Sequence, residues 1–177
     1  MSSKPGKFQP LSHEDLEFKQ WILKFARELM QKEDFQNGLA AGMIYSSYTE
    51  YIAEHLLKNL QYFTYQGTYN QYAGILFIDE TKLDIGKKTL GQTIGALEKF
   101  YFPDKDAILD CMRKVARSRN NMMHQFAKSD VEGVKKIVSQ DVFAIRDNTE
   151  ELVQKVDTVY IGLRKILTST SAEGDAQ

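Results

Sequence analysis

The sequence predicts an all-α protein, a single-domain bundle of about five to six helices over residues 12–168. Apolar residues recur at three- and four-residue steps along most of the chain, the period of an amphipathic helix. The patterned segments are long and end near glycine, proline or cap-forming residues. The composition of the 177 residues is 42% apolar and 27% charged, which is that of a globular domain with a core.

The first helix begins after Ser12, in "HEDLEFKQWILKFARELMQKE". Ser12 and Asp15 have the spacing of an N-cap and its acidic N3 residue. Leu16, Trp21, Ile22, Phe25 and Leu29 mark the expected apolar stripe. Gly38 opens a second long helix, whose stripe includes Ile44, Tyr48, Ile52, Leu56 and Leu60. Residues 66–88 break the pattern. Two short β-prone runs flank a polar turn in "GILFIDETKLDIGKK", which reads as an irregular insertion or small hairpin. A third helix follows at "TLGQTIGALEKF" and Pro103 ends it. Asp104 is the expected cap of a fourth helix, which runs to about Phe126 or Lys128. A short fifth helix over 131–139 and a sixth over 141–168 complete the bundle. Residues 1–11, with two prolines and a glycine, are expected to form a flexible arm, and the polar segment 169–177 a disordered tail. No repeat or linker divides the chain.

Charge and cysteine content narrow the function classes. The formal net charge is −1, whereas a protein that coats nucleic acid over its whole surface is usually strongly basic. An anionic partner therefore has to meet a local patch. The single cysteine, Cys111, permits no internal disulfide and points to a reducing, cytoplasmic setting. Its apolar neighbours favour packing over reactivity. "MSSKPGKFQP" lacks the apolar core of a signal peptide. No apolar run approaches the ~20 residues that span a bilayer.

The fourth helix carries the chemistry. Ile108, Met112, Val115, Arg119, Met122 and Phe126 follow steps of four and three, so Arg119 takes a place where a hydrophobe is expected. A guanidinium on a packed seam is costly unless it is paired or lines a wet cleft. Arg113, Arg117, Asn120, His124 and Lys128 form the polar stripe beside it. No acidic residue lies between Asp110 and Asp130. The near-neutral chain thus has a locally basic, histidine-bearing helix suited to a phosphate-bearing partner. Other chemistries lack their residues. None of His13, His55 and His124 follows a Glu three positions back, as di-iron bundles require. No zinc-ligand spacing, Walker loop or G-x-G-x-x-G is present, so no metal or cofactor is expected.

"RNNMMHQF" resembles the R-x4-6-H motif of HEPN domains, here Arg119, Asn120, three spacers and His124. "YSSYTEYIAEHL" is similar to that family's second long helix, where a polar or acidic residue often faces the motif; Glu50 is the supporting candidate. "LGQTIGALEKF" resembles a helix ahead of it. The likeness covers residues 12–168 in architecture and is specific only over 119–124. The resemblance implies a metal-independent endoribonuclease, with a role as toxin or defence effector. The ribose 2′-OH would attack the adjacent phosphate. His124 would be its general base or acid, Arg119 would stabilise phosphate charge, and Asn120 would orient His124 or bind a phosphate oxygen. Arg113, Arg117 and Lys128 would bind RNA. The family also implies a homodimer with facing motifs and an antitoxin or regulatory partner.

Two further readings stay open. His124 also fits a surface histidine, and Arg119 a structural partner of Glu50 or Glu54. The chain also fits a non-catalytic HEPN-like module that binds nucleotide, RNA or a protein partner. In a straight helix Arg119 and His124 lie ~140° apart, so a site using both needs a distorted helix or a second copy.

Overall fold

The computed structural model describes residues 13–32, 34–72, 89–126 and 130–174. These form five helices and no strand: α1 (His13–Met30), α2 (Phe35–Tyr72), α3 (Leu90–Leu97), α4 (Lys105–Phe126) and α5 (Val131–Gly174). The all-α bundle expected from the periodicity is the fold observed. α5 packs along both α4 and α2, α1 packs on α2, and the short α3 bridges α2 and α4. The core holds Tyr45 and Leu56 of α2, Leu97 of α3, Ile108, Met112, Val115 and Met122 of α4, and Ile145, Leu152 and Val159 of α5. Each aliphatic side chain fully withdrawn from water contributes about 1.5–3 kcal/mol. No helix among the described residues is long and apolar enough to cross a membrane.

Local chemistry accounts for several boundaries. Thr89 stands in the extended conformation before α3. Its hydroxyl accepts from the Gln92 amide, and the Gln92 side chain accepts from the Thr89 amide at 3.0 Å, a reciprocal cap. α3 ends at Leu97, before Pro103 is reached, and a turn leads into α4. Asp104 has φ 54°, a left-handed conformation that aspartate tolerates better than most residues, and its carbonyl accepts from Ile108 at 2.9 Å. Gly42 lies where α2 meets α5. A Cβ there would stand 2.9 Å from Val142 Cγ2 and 3.8 Å from Met122 Sδ. Thr49 and Thr149 share a buried hydrogen bond of 2.8 Å between α2 and α5.

The structure corrects several expected boundaries. Residues 66–72 belong to α2 rather than to an irregular insertion, and 73–88 lie outside the described residues. The two helices expected over 131–139 and 141–168 are one helix. Ser139, Gln140 and Asp141 interrupt the apolar pattern without any glycine or proline to break the backbone, and Ser139 and Gln140 simply face solvent. α5 continues to Gly174, through a Ser/Thr/Ala run with no breaker before that glycine. The expected cap Ser12 and the arm 1–11 lie outside the described residues.

On α1 the packed stripe is only partly the expected one: Leu29 is buried as expected, but Trp21 and Phe25 are not. Lys19, Leu23, Ala26 and Leu29 are buried, while Trp21 and Phe25 are 58% and 40% exposed. Phe18, Trp21 and Phe25 stack on one another instead, with centroids 6.1 and 5.6 Å apart. Two neighbouring apolar stripes share one period, and packing on α2 selects between them.

Candidate functional site

α4 is an uninterrupted α-helix from Lys105 to Phe126. Ile108, Met112, Val115 and Met122 are fully buried along its seam. Arg119 lies on that seam but at its edge, where α4 meets α2. Its guanidinium donates a hydrogen bond to Glu50 Oε1 of α2. Glu50, and not Glu54, is thus the acidic partner. Both side chains are 35% exposed. Fully exposed pairs contribute about 0.2–1 kcal/mol, whereas breaking a fully buried pair costs about 3–5 kcal/mol. With a third of each side chain in contact with water, this pair belongs near the lower range. Its geometric effect is larger, because it fixes the direction of the guanidinium.

Asn120 and His124 are exposed, one helical turn apart on a common face. The two methionines between them divide: Met122 is fully buried and Met123 is 52% exposed. With no interruption in the helix, the ~140° separation of Arg119 and His124 persists. One copy therefore turns Arg119 towards Glu50 and His124 towards solvent, and does not bring the two together. A local distortion of α4 is absent as a means of joining them.

The basic stripe is partly engaged. Arg113 is exposed and forms an ion pair with Glu98, just after α3. Lys114 pairs with Asp110 at 2.8 Å. That hydrogen bond, with the charges of Lys114, Arg113 and Arg117 added, holds the Asp110 carboxyl below the usual range. Arg117 is exposed. Lys128 and the Phe126 side chain lie outside the described residues. Sequence periodicity does not reveal Glu98 as the partner of Arg113, because the two stand fifteen positions apart and meet across the turn between α3 and α4. It also misses Asp141 of α5, which meets Ser118 of α4 and is pushed up by burial, with the Ser118 hydrogen bond opposing. The pattern had no reason to pair them, since Asp141 reads as the start of a separate helix.

Among the described residues no group of three or more His, Cys, Asp or Glu side chains is arranged to hold a metal ion. Cys111 is buried, and burial pushes its thiol up, away from the reactive thiolate. Comparison of the chain with protein-family models, curated proteins and solved structures finds no match.

Proposed function

We propose that the chain is a HEPN-type, metal-independent endoribonuclease that acts as a two-fold homodimer. The observation that supports this most is the Arg119–Glu50 pair: an arginine of the R-x4-6-H motif, on an otherwise apolar seam, is held at a wet edge by an acidic residue of the second long helix. A solvent-facing Asn120–His124 face lies beside it on the same helix.

In this reading the bond between the ribose 2′-oxygen and phosphorus forms as the bond to the 5′-oxygen breaks. His124 of one copy takes the 2′-OH proton, and water gives a proton to the departing 5′-oxygen. The products are a cyclic phosphate and a 5′-hydroxyl. Arg119 neutralises charge on the non-bridging oxygens, Glu50 fixes its direction, and Asn120 orients His124. Arg117 meets flanking phosphates, together with Lys128. Arg113 contributes less, since Glu98 already meets its charge. Two facing copies supply the convergence that one straight helix cannot, and they double the basic surface.

The outward turn of His124 away from Arg119 favours a second reading, a non-catalytic HEPN-like module that binds RNA, nucleotide or protein. An RNA cleavage assay separates the two. Wild type should cut RNA in the presence of chelator, and His124→Ala should lose ~10²–10⁴ of the rate while keeping its helical spectrum and melting temperature. Wild type that binds RNA without cutting it would establish the second reading. Undiminished cutting by the purified mutant would remove His124 from the chemistry.

A further inference from the structure

Three exposed aromatic side chains stand together on α1. Phe18, Trp21 and Phe25 are 57%, 58% and 40% exposed, and they stack as a ladder whose successive planes differ by 18° and 2°. At ~150–250 Å² per aromatic side chain, these exposures leave on the order of 300 Å² of ring in water on each copy. A patch of that size on a soluble protein often marks an interaction surface. Among the described residues α1 packs on α2 and makes no contact with α4. The ladder is therefore a surface separate from the Asn120–His124 face.

The sequence of the patch reads the same in both directions. In "FKQWILKF", residues 18–25, the apolar positions Phe18, Trp21, Ile22 and Phe25 are symmetric about the midpoint between Trp21 and Ile22. Phe25 lies within ~20° of Phe18 around the helix, with Trp21 ~60° to one side and the half-buried Ile22 ~40° to the other. A two-fold contact needs a patch that complements itself. Two such helices laid antiparallel set Phe18 of each copy opposite Phe25 of the other, and Trp21 opposite Ile22.

We propose that this ladder joins two copies of the chain, α1 against α1 in antiparallel, about a two-fold axis that passes between Trp21 and Ile22. The contact is additional to the facing α4 helices of the ribonuclease reading and does not depend on that reading. Charge selects a second copy over other occupants. Glu17, Lys24 and Glu28 flank the ladder, and Lys24 already lies 4.0 Å from Glu28. A flank of one lysine and two glutamates has no net attraction for RNA or an anionic membrane. Charge also selects the direction. Antiparallel pairing brings Lys24 of each copy within ~3 Å, along the axis, of Glu17 of the other, whereas parallel pairing sets Lys24 against Lys24 and Glu17 against Glu17. The area fits as well. A standard interface takes about 800 Å² from each partner, with an apolar centre and a polar rim. The ladder supplies a centre of that kind, and its tryptophan is the residue type most enriched in binding hot spots.

Trp21 is the only tryptophan of the chain, so its fluorescence reports this contact directly. Dilution of the full chain should shift its emission to longer wavelength and raise its quenching by acrylamide, in step with a halving of the sedimenting mass. Trp21→Asp should keep the helical spectrum and weaken association ~30-fold or more, the loss expected at one hot spot. Engineered cysteines test the geometry. Ile22→Cys should form a disulfide between copies under oxidation, because antiparallel pairing sets the two residues side by side. Gln31→Cys should not, because its two copies would stand ~28 Å apart along the axis. The native Cys111 is buried and does not compete. None of these measurements uses RNA cleavage, so failure of the ribonuclease reading would leave them unchanged. A chain that stays monomeric at high micromolar concentration, undiminished association of Trp21→Asp, or equal cross-linking at positions 22 and 31 would overturn the proposal. A monomeric chain whose Trp21 emission moves to shorter wavelength only with added RNA or anionic vesicles would also overturn it and give the face to that partner. If Trp21→Asp does not fold, the wild-type dilution and the two cysteine variants still decide it.

Discussion

Lys19 and Arg119 are both cations on the packed stripe of an amphipathic helix, and both lean on α2. They differ in burial. Lys19 is almost wholly buried, and its contacts include the Tyr51 phenol and ring face. Arg119 stays at a margin, a third exposed, and is held by a carboxylate. A long, flexible lysine stem packs along apolar surface and carries its ammonium to a cavity. A guanidinium fork fits a carboxylate and keeps some donors free for another ligand. The first arrangement buries an ammonium between α1 and α2, and the second leaves a guanidinium at an open edge.

The largest effect expected from this contrast is on catalysis at the open edge. Arg119→Ala should reduce RNA cleavage by ~10²-fold or more, and Arg119→Lys should not restore it, because the bidentate fork is lost. Mixing the Arg119→Ala chain with a His124→Ala chain tests whether copies share sites. If each site takes Arg119 from one copy and His124 from the other, mixed dimers regain one intact site and measurable activity. A strictly monomeric protein in sedimentation that still cuts RNA would break the two-copy account.

Next in size are the stability effects at the two cations. Glu50→Ala leaves Arg119 without its carboxylate, and at this exposure the loss should be about 1 kcal/mol in urea unfolding. Lys19→Met, of similar volume, removes the ammonium that donates to Tyr51 Oη and should cost about 1–3 kcal/mol. A Lys19→Met protein as stable as wild type would reverse the ranking of the two sites.

The contrast also marks how far the sequence could be read. Periodicity found α4 and its seam correctly, because Ile108, Met112, Val115 and Met122 have no competing apolar stripe. It placed Arg119 on that seam for the same reason. On α1 it failed, since Phe18, Trp21 and Phe25 form a second stripe of the same period beside Leu23 and Ala26. Which stripe packs depends on the shape of α2, a tertiary property. The expected break near 140 failed for a related reason: a polar interruption in an apolar pattern resembles a loop, yet Ser139, Gln140 and Asp141 cost a helix only a few tenths of a kcal/mol each in propensity. The pocket that Lys19, Tyr51, His55 and Asp157 line was illegible altogether, because its residues come from three helices and separations above a hundred positions. On α4, the sequence narrowed the partner of Arg119 to Glu50 or Glu54 and the fold selects Glu50, while the pairing of Arg113 with Glu98 required the fold.

The smallest effect expected is at a third junction, intermediate between the two cations. Arg27 of α1 donates to Glu150 Oε1 of α5 at 2.8 Å, and Tyr45 of α2 donates to the same oxygen at 3.2 Å. Burial first, and the Glu150 charge second, push the Tyr45 phenol up to about 12. Its folded pKa therefore exceeds the unfolded value near ~10. The folded state holds that proton more tightly, so the contribution is fully present below pH ~10 and is lost as pH rises towards 12. Tyr48, also raised to about 12, acts in the same direction. The melting temperature should fall across this window. Tyr45→Phe should cost about 1 kcal/mol at neutral pH, the scale of one hydrogen bond, and should make the alkaline decline shallower, with Tyr48 and Tyr160, both raised by burial, left to supply the remainder. A Tyr45→Phe protein that keeps the full wild-type slope between pH 10 and 12 would show that the junction's carboxylate is shared with Arg27 alone.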